Sequence, residues 1–148
     1  MTDLILEKLK TILEENKNKK ITVIGTTCVG KTTLLKNISE GIAISELAPK
    51  LTKEEENFYY NAPLTRENNK KMLEMRAKRA FVKAGQPAFG TGIASGTELV
   101  VCLIISDELL RKRTESRNVD FEQAKIMQAF IEEEIKESGL PVIELSVG

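Results

Sequence analysis

At 148 residues, with 41% apolar and 30% charged side chains, the chain has the size and composition of one globular domain. Lysine plus arginine equals aspartate plus glutamate at 22 each, so no net field draws it to nucleic acid or to an anionic membrane. Histidine is absent, which removes imidazole acid–base catalysis, His-based zinc sites and Ser-His-Asp triads.

In chain order, an N-terminal segment (residues 1–19) holds a predicted amphipathic helix over 3–17, with Ile5, Leu9, Ile12 and Leu13 on one face. Ile21-Thr-Val-Ile24 predicts a short buried strand, followed by a glycine loop and a helix over 32–39 that Gly41 stops. Ile42-Ala-Ile44 is a weak second strand. Residues 52–84 predict two helices broken near Asn61-Ala-Pro63, the second capped by Thr65 and ended by Gly85. Pro87-Ala-Phe89 opens a third strand. Leu99 to Ile105 is seven apolar residues in a row, the mark of a strand buried on both faces of a parallel sheet. Ser106 caps the next helix, and Asp107 and Glu108 suit the positive end of its dipole. Asp120 opens the last helix, whose core stripe is Phe121, Ala124, Met127, Ile131 and Ile135; Gly139 ends it, and Pro141 to Leu145 returns as a final strand. Strands alternating with helices predict a single α/β domain over 1–148, a three-layer sandwich around a parallel sheet.

Cys28 and Cys102 are far apart and form no Cys-x-x-Cys pair, so a reduced, cytoplasmic protein is expected. The N-terminal residues lack the pattern of a signal peptide, and no apolar run is long enough to span a bilayer, so no membrane partner is expected either.

Gly25-Thr26-Thr27-Cys28-Val29-Gly30-Lys31-Thr32 is the sharpest motif: two glycines with four residues between them, then Lys and Thr. Glycines let a backbone fold tightly around an anion with several N–H groups turned inward. Lys31 suits the β- and γ-phosphates of a nucleoside triphosphate, ATP or another, and the Thr32 hydroxyl suits magnesium. Thr33, one residue on, is within reach of the α-phosphate. A tight strand-to-helix turn with an exposed lysine is the competing reading.

The Asp-x-x-Gly and Asn-Lys-x-Asp motifs of translation-type GTPases are both missing. With its P-loop, the order of its elements and the stretch Ser106-Asp-Glu-Leu-Leu-Arg111-Lys-Arg113-Thr-Glu-Ser-Arg117, the chain resembles the P-loop kinases of nucleoside monophosphates and other small molecules. That resemblance implies a five-stranded parallel sheet in the order 2-3-1-4-5. It implies an acceptor-binding region in the helical insertion at 52–84. It implies an ATP-dependent phosphotransferase whose lid arginines are Arg113 and Arg117, catalytic together with Lys31. A solvated basic helix end is the other reading of that arginine pair. Arg76, Arg79 and Lys83, expected along one helical face with Arg66 at its start, mark either a site for a small anionic acceptor or a solvated face.

Many such kinases carry an aspartate at or after strand three, where this chain reads Phe89-Gly-Thr-Gly-Ile-Ala-Ser-Gly96. The nearest substitute is Glu46, as a magnesium contact through water or an acceptor of the substrate proton, or else as a plain loop residue. The missing acid keeps a second function class open: an ATP- or GTP-binding protein, or slow NTPase, that regulates a protein partner without phosphoryl transfer.

Overall fold

Ile21–Ile24 (β1) lies at the centre of a five-stranded sheet, and all four of its residues are buried. All four residues, Ile21, Thr22, Val23 and Ile24, are β-branched and suit a pleat packed on both faces, because stiff side chains lose little freedom there. The computed structural model describes residues 2–148. The other strands are β2 (Ile42–Ala43), β3 (Ala88–Gly90), β4 (Leu99–Ile105) and β5 (Val142–Val147). Their order is β2-β3-β1-β4-β5 and every pairing is parallel, as expected. Thr22 stands beside both Ala88 and Val100, and Ile24 beside Gly90 and Cys102, so β1 ends level with the end of β3.

Helices cover both faces. On one, Leu9 and Leu13 of α1 (Thr2–Glu15), Leu34 of α2 (Lys31–Lys36) and Leu110 of α6 (Asp107–Ser116) pack with Val23, Val101 and Leu103. On the other, Ile131 of α7 (Phe121–Ser138) packs with Ile24, Val100 and Cys102. Each of these side chains gains about 1.5–3 kcal/mol from leaving water. Burial pushes the Cys102 thiol up to about 11, so it stays protonated at neutral pH.

The insertion forms α4 (Lys53–Asn61) and α5 (Arg66–Met75), joined through Pro63. Thr52 and Glu55 make a reciprocal capping box on α4, and the Thr65 hydroxyl accepts from the Asn68 N–H at 3.1 Å on α5. A smaller apolar cluster of Ile44, Ala48, Ala77, Ala80, Val82, Ala88 and Ala94 holds the insertion to the sheet edge.

The structure corrects three expectations. The second insertion helix stops at Met75, ten residues before Gly85, and a 3₁₀ turn over Ala77–Arg79 follows. The reason is tertiary: Ser95 N donates to Ala80 O at 2.8 Å, Val82 N donates to Ser95 O at 3.1 Å, and the Ser95 hydroxyl donates to Lys78 O at 2.6 Å. Those bonds take backbone groups that a continuing helix would need. Arg76, Arg79 and Lys83 therefore do not share a helical face. Secondly, α2 ends at Lys36 with Asn37 as its cap, well before Gly41. Thirdly, the weak second strand keeps two residues, and Ile44–Leu47 turns into a short helix, α3.

The segment returning from β3 to β4 is pinned to β1 by a buried hydroxyl pair. Thr97 Oγ1 donates to Ala94 O at 2.6 Å, so Thr22 Oγ1 donates to Thr97 Oγ1 at 2.7 Å and accepts from Ala94 N–H at 3.2 Å. Thr22→Val keeps the shape of the side chain but leaves the Ala94 N–H without an acceptor in the interior. The expected loss is about 1–3 kcal/mol in urea unfolding, largely restored in Thr22→Ser. A Thr22→Val midpoint equal to that of the unaltered protein would show the network to be energetically idle.

Candidate functional site

The loop from Gly25 to Gly30 leaves the end of β1 and enters α2. An added Cβ at Gly25 would lie 2.8 Å from Val29 Cγ1 and 3.2 Å from Leu103 Cβ, so only glycine lets the loop close over β4. The backbone then passes through positive φ at Cys28 (65°) and Gly30 (108°). Positive φ is rare for a residue with a side chain, and at Cys28 it bends the loop sharply. Among the described residues, the N–H groups of Thr27, Cys28 and Gly30 donate no hydrogen bond. They are free donors at the mouth of the loop.

Two cations are fastened to this loop. Lys31 Nζ donates to the carbonyls of Gly25 and Thr26, the latter at 2.9 Å. Burial pulls its pKa down to about 8, with neighbouring Cys28 acting in the opposite direction. Arg113, from α6, donates to Val29 O at 2.9 Å and to Cys28 O at 3.4 Å. Thr26 anchors the loop from the other side, its buried hydroxyl donating to Ala124 O of α7 at 2.6 Å. Thr32 and Thr33 are exposed at the start of α2.

Two cavities lie on this side of the molecule. The first, about 230 Å³, is lined by Val29, Gly30 and Thr33, by Arg113 and Arg117 of α6, and by Ile5 and Val147. The second, about 320 Å³, lies between the insertion and the end of β3, lined among others by Tyr59, Leu64, Arg76, Phe89, Gly90 and Met127. Gly25 N–H donates to Gly90 O at 3.4 Å, so the start of the loop is tied to a residue of the second cavity while its end walls the first.

Sequence-predicted residues distribute unevenly over this arrangement. Gly25 to Thr33 and Arg113 come together at the loop, and Arg117 stands exposed on the rim of the first cavity. Glu46 is exposed in the first turn of α3 and lines neither cavity, although Ile44 and Ser45 beside it line the second. Of the insertion's cations, Arg79 pairs with Glu55 at 2.8 Å and Arg66 with Glu133 at 3.3 Å. Arg76 alone of its arginines lines the second cavity.

Sequence reasoning missed Glu134. From α7 it accepts the Ile93 N–H at 3.2 Å, in the segment just past β3 where no acid stands in the sequence. Burial raises its pKa, and the Ile93 N–H works against that shift. It faces a separate groove between α5 and α7 that shares Asn69 and Leu73 with the second cavity. No local signal marks it, because the contact joins positions 41 residues apart.

No protein-family model matches the chain, and no curated protein matches its sequence. Among solved structures, a gluconokinase from Sinorhizobium meliloti 1021 is similar at a TM-score of 0.52 and 20% identity, over 88% of this chain and 83% of the other. Hydrogenase maturation factor HypB from Archaeoglobus fulgidus aligns at 14% identity over 97% of this chain and 89% of its own, with a TM-score of 0.30. Strand order, the glycine loop and the likeness to the gluconokinase agree on one architecture: the chain has the five-stranded, all-parallel P-loop kinase-like α/β fold.

Proposed function

We propose that the chain is a phosphotransferase that binds a nucleoside triphosphate, ATP or another, on the Gly25–Thr33 loop and passes its terminal phosphoryl group to a small acceptor in the second cavity. One observation carries this reading: the end of the glycine loop lines one cavity, and its start, Gly25, is hydrogen-bonded to Gly90, which lines a second. A protein that only holds a nucleotide needs the first; transfer needs both.

In this reading the free N–H groups of Thr27, Cys28 and Gly30 receive phosphate oxygens, and Lys31 leaves the Gly25 and Thr26 carbonyls to meet the β- and γ-phosphates. The exposed Thr32 hydroxyl, beside phosphate oxygens, is the hard-oxygen donor set that magnesium prefers, and the ion would neutralise phosphate charge there. Arg117 borders the nucleotide. Arg113 must release Cys28 O and Val29 O before its guanidinium can reach the transferring group, so it reports nucleotide arrival as well as stabilising charge. Glu46 is left with a contact through water.

A specific observation favours the alternative, a nucleotide-controlled binding protein or slow NTPase. Among the described residues lining the second cavity there is no carboxylate to take the acceptor's proton.

Millimolar ATP with magnesium is expected to raise the melting temperature by several degrees. Ligand at 100 times its dissociation constant stabilises a fold by about 2.7 kcal/mol. Lys31→Ala should abolish most of the shift, and an unchanged melting point in the unaltered protein would refute nucleotide binding. The pH dependence has a definite sign. With Lys31 near 8 in the free protein, raising pH from 7 to 9 removes the proton the phosphates need, so affinity should fall across that window. An ordinary lysine would keep it flat there, so flat calorimetric titrations would show that burial does not depress Lys31.

Arg113→Ala and Arg117→Ala should lower acceptor-dependent ADP release far more than they weaken nucleotide binding, since charge on the transferring group is met in the transition state. A well-placed arginine is worth about 10³-fold in related sites. Full turnover in both variants would dismiss the arginines. Unchanged magnesium affinity in Glu46→Gln would return that residue to the surface. If no acceptor raises ADP release above basal hydrolysis, the binding-protein alternative takes over.

A further inference from the structure

We infer that the acceptor is a small monoanion with an apolar body, held by Arg76, rather than a polyol or a multiply phosphorylated compound; this rests on the phosphotransfer reading above. Arg76 is the only charged side chain among the described residues that line the second cavity. Its carboxylate partners are missing: Arg66 and Arg79, the other two arginines of the insertion, are paired with Glu133 and Glu55, while Arg76 meets no carboxylate within 4.0 Å among the described residues. Aromatic groups hold it instead. The guanidinium lies 4.7 Å from the Tyr59 ring centre and donates to Tyr60 Oη at 3.3 Å. A half-buried guanidinium fixed by a ring face, with no counter-charge, is a fork waiting for an anion.

The rest of the cavity decides the body of the ligand. Leu64, Met72, Leu73, Phe89 and Met127 form its walls. Burial raises the pKa of Tyr59, which keeps its hydroxyl protonated beside the guanidinium. The remaining polar side chains, Ser45, Asn69 and Thr91, are too few to replace the water around a sugar acid with five hydroxyls, and each unmatched hydroxyl buried there costs free energy. A second or third negative charge would find no further cation. At about 320 Å³ the space is at the small end of ligand pockets, room for one ring or one branched chain. Its floor is tightly set: an added Cβ at Gly92 would lie 2.5 Å from Leu73 Cδ2 and 2.8 Å from Ala77 Cβ. Its edge at Gly90 is hydrogen-bonded to Gly25, at the start of the phosphate loop.

The experiment measures binding without nucleotide, by calorimetry or saturation-transfer NMR, for three probes: phenyllactate, its neutral counterpart phenylpropanediol, and D-gluconate. Phenyllactate should bind about tenfold or more tightly than either of the others. Arg76→Gln should erase that advantage and Arg76→Lys should keep part of it. Arg79→Gln, which breaks only the Glu55 pair, should leave it intact, with melting curves confirming that all three variants fold. Gluconate or the diol binding as well as phenyllactate would overturn the assignment. So would undiminished phenyllactate binding by a folded Arg76→Gln, or no phenyllactate binding at millimolar concentration. The magnesium-ATP melting shift separates the two levels: if it persists while the probe result fails, the acceptor class is wrong and nucleotide binding stands.

Discussion

Everything this molecule offers to a ligand hangs from the pairing of β1 between β3 and β4. Four residues, hydrogen-bonded on both edges and buried on both faces, set the height at which the glycine loop begins. Because Ile24 is level with Gly90, the loop emerges beside the end of β3, and the second cavity is built against that same edge. The parallel arrangement is what makes this useful. Parallel strands point their carboxyl ends the same way, so loops from several strands gather on one side of the sheet. Thr26 then ties the loop to α7 and Arg113 ties it to α6, so three separate elements determine its curve.

Those ties also describe a loop that satisfies its own charges. Lys31 and Arg113 both donate to loop carbonyls. The energetic reason is plain. A desolvated ammonium and guanidinium need acceptors, and in a compact loop the nearest are backbone oxygens. The lowered pKa of Lys31 expresses the same cost in terms of protons.

Legibility from sequence followed the physics of each signal. Leu99–Ile105 announces itself because seven apolar residues in a row have no other stable place, and its observed bounds match the expected ones. The bounds of β1 do so too, since the loop motif fixes where the strand must end. Ser106 and Thr65 were readable as caps because capping is local, one hydroxyl reaching an N–H three residues on. The end of α5 was not readable: Ala77 to Ala84 has nothing against a helix within itself, and it is Ser95, in a different segment, that draws Ala80 and Val82 into a bridge. For the candidate site, that Gly25 to Thr33 form a strand-to-helix loop was legible from a motif, and Arg113 was singled out by a spacing, while its bond to that loop was not foreseen. Glu134 at Ile93 and the pairing of Arg79 with Glu55 were not legible either, because both are created by packing between elements. The same limit explains Arg76, which the sequence placed in a row with Arg79 and Lys83 and which the fold sets apart from both.

The first cavity has walls from far-separated parts of the chain. Ile5 of α1 and Val147 of β5 both line it, and α1 packs on that strand. Docking of α1 and filling of the cavity are therefore linked equilibria. Whatever occupies the space adds contacts that only a docked helix can provide, and a docked helix in turn completes the space. Linkage of this kind is reciprocal. Occupation should thus slow amide exchange along α1, a segment outside the phosphate loop itself, and loosening of α1 should weaken occupation by the same free energy.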